Sequence, residues 1–423
     1  MTTPLLLRNG TVIDTAPAPT VLGRADVLVQ DGRIAAVGPD LAAPTGTEIL
    51  DASGRIVMPG FVDTHRHTWQ TAIRATLPDS TLPAYLQRVL GELAPRYRPD
   101  DVYAGTLAGA LECLDSGITT VVDWSHILLT PDHTDADIAA LRASGIRAVF
   151  GYCHGGDGDL AAETARVHRE YFDAPPSTVT MWTAALGPEI AGEERALAEW
   201  RVARDLGVPV TVHMGGHGAE SAARGLAFLQ DNGLFDHPAM YVHANFYTAD
   251  EFKRIAAAGG TVSATPGVEA ALGIGEPATG RAHAAGVPTG LGCDTVASGP
   301  GDMFGVMRAA YFLERARPDG AWFTTAEALR AATLGGAETA GLGGVTGSLT
   351  PGKQADLIVL RTDTLGMAAA HDPIAAVVLS AETRHVDTVL VGGRVLKRGG
   401  VLQGHDVPSL LDGLERAAAR ITA

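Results

Sequence analysis

The stretch Ile56-Val-Met-Pro-Gly-Phe-Val-Asp-Thr-His-Arg-His67 decides how the chain folds. Ile56, Val57, Phe61 and Val62 give it the apolar character of a strand buried in a parallel sheet, and it runs straight into two imidazoles one residue apart. Side chains alternate along a strand with period two, so His65 and His67 leave the same face and together can grip one metal ion. Parallel barrels deliver ligands to their catalytic rim from strand ends in this way. Two surface histidines would look the same in isolation, and only the other strands can separate the cases.

Working outward, residues 56 to 344 alternate apolar runs with helical stretches. The strand candidates are 57–62, 119–123, 147–152, 179–184, 208–213, 239–243, 260–264 and 288–294. Eight strands alternating with helices specify an α/β fold of the closed (β/α)8, TIM-like kind. A doubly wound open sheet is the rival, but no Gly-x-Gly-x-x-Gly is placed to support it.

The chain ends use a different grammar. Leu5 to Ile13 carries a turn at Asn9-Gly10, and Ala25 to Val37 one at Asp31-Gly32, both strong hairpin signals. Similar short runs return at 355–360 and 386–395. Neither half holds enough strands for a stable sheet alone, so the two ends are expected to pair into one small β-sandwich. The expected organisation is residues 1–55 as the first part of the sandwich, 56–344 as a metal-dependent hydrolase barrel, 345–406 as the second part, and 407–423 as a C-terminal helix. Residues 409–420 have amphipathic spacing, suited to packing or an oligomer contact.

Composition bounds the function. No apolar run reaches the roughly 18 residues of a membrane span, and Met1 to Gly10 lacks a basic leader, so a cytoplasmic protein with no membrane partner is expected. Three cysteines, Cys113, Cys153 and Cys293, are too few for a disulfide framework. A formal net charge of −16 opposes binding to nucleic acid. The expected partner is a small-molecule substrate.

The later strands carry the chemistry. His213 ends the fifth, His243 the sixth and Asp294 the eighth, each on the rim that holds His65 and His67. One strand-end histidine is usually a satisfied hydrogen-bonding residue; four such coincidences on one rim are not. Neutral imidazoles with one carboxylate suit Zn²⁺ or Fe²⁺. A metal so held brings the pKa of bound water toward about 7, which implies hydrolysis. Asp294 can be both ligand and proton acceptor, and His243, if it does not coordinate, can steady developing charge.

With these motifs the chain resembles the amidohydrolase superfamily, in the branch of guanine and 8-oxoguanine deaminases, S-adenosylhomocysteine deaminases and triazine hydrolases. The resemblance covers nearly the whole chain, through Pro59 to His67, Gly117 to Asp123, Val212-His213, Val242-His243, Leu291 to Asp294, and Gly347 to Val359. It implies His65, His67, His213 and Asp294 as metal ligands, with His243 and Asp294 catalytic, and a dimer or larger homo-oligomer. It also implies a substrate contact for Gln70, three residues after His67, with Trp69 and Arg74 stacking on or orienting a planar heterocycle. Members with two metals use a carboxylated lysine on a middle strand; Lys253, Lys353 and Lys397 lie on none, so one divalent ion is expected, Zn²⁺ first, with Fe²⁺ or Mn²⁺ as alternatives, unless Glu189 bridges a second.

The pattern breaks at one position. Deaminases of this branch carry a glutamate three residues after the fifth-strand histidine, where this chain has Gly216. Ammonia leaves poorly unless protonated, and general acid catalysis is worth about 10² to 10⁴ in rate. His217, Glu220 and Glu189 are the candidate substitutes. His126 and His154 follow the second and third strands, within reach of the same pocket. The expected activity is metal-dependent, deaminase-like hydrolysis of a carbon–nitrogen bond, not a peptide bond, in a small planar nitrogen heterocycle. The alternatives are displacement of another leaving group, such as halide or an exocyclic amide, and a barrel that has lost catalysis and serves as a binding protein.

Overall fold

In the computed structural model, which describes residues 3–173, 177–318 and 323–423, the apolar run at 56–62 divides at Gly60 into two strands of different sheets. Arg55–Pro59 pairs antiparallel with Leu357–Arg361 and touches Leu5–Asp14 in the chain-end sheet, whereas Phe61–Arg66 opens the barrel. The crossing needs glycine, because a Cβ at residue 60 would run into the Thr119 side chain on the next barrel strand. The 57–62 strand expected from sequence is therefore two elements, since apolarity does not say which sheet covers it.

The barrel strands follow as Ile118–Ser125, Arg147–Tyr152, Val179–Ala185, Val210–Met214, Ala239–His243, Thr261–Ala264 and Thr289–Leu291, each parallel to its neighbour. Val121, Val149, Val212, Val242 and Leu291 are fully buried, as expected where a parallel strand is covered on both faces. The ring closes through the functional residues. Asp294 N donates to His65 O at 2.8 Å and His67 N donates to Asp294 O at 2.8 Å, so the first strand is hydrogen-bonded to the segment after the eighth.

The two chain ends build one nine-stranded sheet, held at its centre by Leu357–Arg361 against Arg55–Pro59. It surrounds a core of its own, with Leu7, Val12, Val27, Val57, Leu357 and Leu390. Its far strand comes back onto the second half of the chain, where Ile34 N donates to Lys353 O at 2.9 Å and Ala355 N donates to Gly32 O at 2.9 Å. A buried bidentate ion pair fastens this sheet to the barrel: Arg147 Nε and Nη2 meet the Asp356 carboxylate at 2.6 and 3.1 Å.

The C-terminal helix, Val407–Thr422, packs on the barrel helix Pro99–Asp115. It buries Ala417 and Ile421 and pairs Arg420 with Asp101. Among the described residues, no helix is long and apolar enough to cross a membrane. The three cysteines are buried and unpaired, and burial pushes the Cys113 thiol up to about 12.

Candidate active site

The first barrel strand aims its two histidines into the mouth of the barrel and Arg66, between them, the other way. Arg66 is fully buried, pairing with Glu112 and donating to Gly301 O at 2.9 Å. Asp63 braces the strand by accepting from His65 N at 3.2 Å and Cys293 N at 3.1 Å. His67 Nδ1 lies 2.7 Å from Trp124 O. A carbonyl only accepts, so Nδ1 carries the proton and Nε2 turns a lone pair inward, as a metal-binding imidazole must.

Four donors converge there. His213 Nε2 is 3.2 Å from His65 Nε2, and Asp294 Oδ1 is 3.4 Å from both His65 Nε2 and His67 Nε2. Donors held about 2.0–2.1 Å from a tetrahedral ion stand roughly 3.3 Å apart, so these separations fit one shared cation. The residues present fit a single divalent ion, with His243 also near His65 and Asp294.

The electrostatics agree with that donor set. Burial, then the charge of His65, pulls His67 down to about 3, and burial with His65 and His243 holds His213 well below its ordinary range, so these rings stay neutral. For Asp294, burial alone would raise the carboxyl, but the hydrogen bond from His65 and the neighbouring imidazoles outweigh it and lower its pKa, so it is ionised. Two of the functional residues sit on left-handed backbone, His243 at φ 74° and Asp294 at φ 60°. Such positions cost about 1–3 kcal/mol and persist where the surroundings over-determine them.

His243 is held by a group the sequence did not reveal. Its Nδ1 lies 3.3 Å from Glu269 Oε1 and 3.2 Å from Thr265 Oγ1, and Glu269 also accepts from Thr265 N at 2.8 Å. Burial opposes protonation of His243, but the Glu269 bond and the charges of Asp294 and Glu269 prevail and raise its pKa. The only sequence signal for Glu269 is its place five residues after the end of the seventh strand.

His67, His213, His243 and Asp294 open onto a cavity of about 70 Å³. His67, His126, His213, His243 and Asp294 line its polar end; Leu82, Leu86, Leu90, Ile190, Leu272 and Ile274 line the other. His126 stacks on His67 with centroids 4.2 Å apart, and its Nδ1 accepts from Trp69 Nε1 at 3.2 Å. Its remaining proton is therefore on Nε2.

The other residues singled out from sequence are distributed unevenly. His217 lines the cavity at its rim, beside Gly216. Gln70, Trp69, Arg74 and Glu189 lie outside the lining. Gln70 is fully buried, its amide held between Tyr85 and Thr295. Trp69 is packed edge-on to Tyr97 at 4.9 Å. Arg74 turns away to pair with Glu112 at 2.8 Å, and Glu189 Oε1 accepts from Gly215 N at 2.8 Å. Glu220 is 88% exposed, and His154 lines a different cavity. The lysines are engaged elsewhere: Lys253 with Asp250, Lys353 with Thr346 O and Lys397 with Asp115.

Fold and site define a barrel hydrolase of the metal-dependent kind. The amidohydrolase family model matches residues 56–396, and the chain belongs to that family. It is thus an amidohydrolase acting on carbon–nitrogen bonds other than peptide bonds. Among its relatives, a 5-methylthioadenosine/S-adenosylhomocysteine deaminase of Desulforudis audaxviator is 30% identical over 430 residues, covering 99% of each chain. Two solved structures are also similar. An adenosine deaminase from Xanthomonas campestris with bound zinc is 27% identical, TM-score 0.88, over 99% of this chain and 98% of that one. An atrazine chlorohydrolase from Arthrobacter aurescens TC1 complexed with zinc is 25% identical, TM-score 0.88, over 98% of this chain and 100% of the other.

Proposed function

We propose that the protein is a mononuclear zinc hydrolase that cleaves a carbon–nitrogen bond of a small, planar nitrogen heterocycle, in the manner of a deaminase. The observation that carries this reading is the convergence of His65, His67, His213 and Asp294 at the spacing of one coordination sphere, with His243 alongside. The bound ion would supply hydroxide at neutral pH by lowering the pKa of coordinated water.

The chain's own groups do the rest. Asp294, held ionised, accepts the proton released as the attacking oxygen forms its bond to the ring carbon, through the oxygen not turned to the histidines. His243, braced by Glu269, donates toward the developing negative charge. Leu82, Leu86, Leu90, Ile190, Leu272 and Ile274 would give the ring an apolar wall. Proton delivery to the leaving nitrogen falls to His217, because Gly216 has no side chain, Glu220 faces solvent and Glu189 is committed to Gly215 N.

The same absence at Gly216 supports a second reading, displacement of a leaving group that needs no proton, and the likeness to a chlorohydrolase favours it. A panel of amino- and chloro-substituted heterocycles, assayed with the zinc-loaded protein for ammonia and for chloride, separates the two. Ammonia stoichiometric with product, lost in Asp294→Asn, is expected. Chloride release alone sinks the deaminase reading, and full turnover by Asp294→Asn sinks both.

A further inference from the structure

A directional hydrogen-bond chain leads from the loop that carries Asp294 to the wall of the cavity. It begins at Ala297 N, which can only donate, and does so to Thr295 Oγ1 at 3.0 Å. The Thr295 hydroxyl passes its own proton to Gln70 Oε1. That contact fixes the orientation of the Gln70 amide, whose Nε2 then donates to the Tyr85 hydroxyl at 2.7 Å. Thr295 and Gln70 are almost completely buried, so no water competes to reverse the sequence. Tyr85 is the last member of the chain and lines the cavity together with Asp294.

Since Tyr85 already accepts from an amide, its phenol proton is left to point onward. The phenol does not ionise, because burial, and then the nearby Asp294 charge, raises its pKa far above the ordinary value. In the absence of substrate the Thr295 hydroxyl is the other hydrogen-bond partner of the phenol, and an acceptor on a bound ring competes with it from the cavity side. Around Tyr85 the segment 82–93 offers only aliphatic side chains to the cavity, Leu82, Leu86 and Leu90. A single oriented donor in an apolar wall discriminates strongly, because a ligand without a matching acceptor leaves it buried and unpaired.

We propose that Tyr85 is a specificity-determining residue that donates, and does not accept, a hydrogen bond to substrate, so that the site selects heterocycles presenting a ring carbonyl to the segment 82–93. This rests on the cavity being the substrate site of the hydrolase proposed above. It also gives Gln70 a definite part: Gln70 sets the direction of the Tyr85 hydroxyl instead of touching the ring.

The test uses the zinc-loaded protein and two soluble probe pairs whose members differ in a ring carbonyl, cytosine against 4-aminopyrimidine and isocytosine against 2-aminopyrimidine. Dissociation constants come from isothermal titration, or KM where a probe is turned over. In the wild type the carbonyl member of at least one pair binds about tenfold tighter or more. Tyr85→Phe, which keeps the ring and loses the proton, removes the preference. Gln70→Glu, which makes the neighbour an acceptor and turns the phenol proton inward, removes it as well. No carbonyl preference in the wild type, including no binding of either carbonyl member, overturns the proposal; so does a preference that survives in Tyr85→Phe or in Gln70→Glu. Binding is read without catalysis, so a protein that shows the preference yet releases no product refutes the hydrolase reading and leaves this one standing.

Discussion

Replacing Glu269 with glutamine removes one negative charge from beneath His243 and little else. The amide keeps an oxygen that can accept from Thr265 N, now 2.8 Å away, and from the His243 Nδ1 proton across 3.3 Å. What is lost is the attraction between the carboxylate and the positive charge that His243 gathers as it donates toward the reacting oxygen. Two unit charges 3.3 Å apart interact by about 5 kcal/mol at an effective dielectric constant near 20, which is a ceiling on the effect. Only part of a unit charge develops, and Asp294 remains to share it. About half the ceiling, roughly 2.5 kcal/mol, corresponds to a fall of about 70-fold in kcat, since each 1.36 kcal/mol is tenfold. KM should stay within about threefold, because the substrate's ground state carries no such charge. The assay is steady-state turnover of whichever heterocycle the ammonia and chloride panel identifies, with metal content and thermal melting measured on the same preparation. Activity within threefold of wild type at full metal occupancy would refute the role given to Glu269, as would a loss that merely tracks loss of metal.

Two further changes probe the scaffold. Gly292→Ala would place a Cβ 2.7 Å from His65 O and 2.8 Å from His65 N, against backbone that cannot step aside, so about 1–3 kcal/mol of stability and at least about tenfold in zinc affinity should be lost, read by melting and by competition with a chelator. Asp137 is pushed up to about 6 by burial, against the opposing bond from Ser125. A carboxyl raised in the fold above its unfolded value near 3.9 contributes stability that is complete below about pH 4 and lost as pH rises through 6. Asp137→Asn keeps the neutral form at every pH, so its stability relative to wild type should climb between pH 4 and 7 in denaturant titrations; a pH-independent difference would contradict this.

The barrel and its rim were legible because both rest on local pattern. Apolar runs ending in His213, His243 and Asp294 announce strands with polar side chains of metal-binding type at their C-terminal ends, and period two alone puts His65 and His67 on one face. Gly60 was not legible as a boundary, since both sheets it joins want the same apolar residues and only the distant pairing with Leu357–Arg361 divides them. Gln70 and Arg74 lie in and just after the 3-10 turn Thr68–Ile73, where spacing does not say which side chain meets the pocket. The fold turns Arg74 outward to Glu112 and buries Gln70 beneath Tyr85. Tyr85 itself sits 18 residues beyond His67 in a segment without a motif, and Glu269 lies 26 residues beyond the histidine it braces. Contacts of that kind belong to tertiary structure and leave little trace in composition or period.

The most direct test of the whole account is an anomalous-scattering map from crystals of the protein purified with zinc, taken at the zinc edge, with metal per chain measured on the same sample. One ion per chain, bonded at about 2.0–2.2 Å to His65, His67, His213 and Asp294, is the expected result. An ion bound elsewhere, or a fully active enzyme with none, would contradict it.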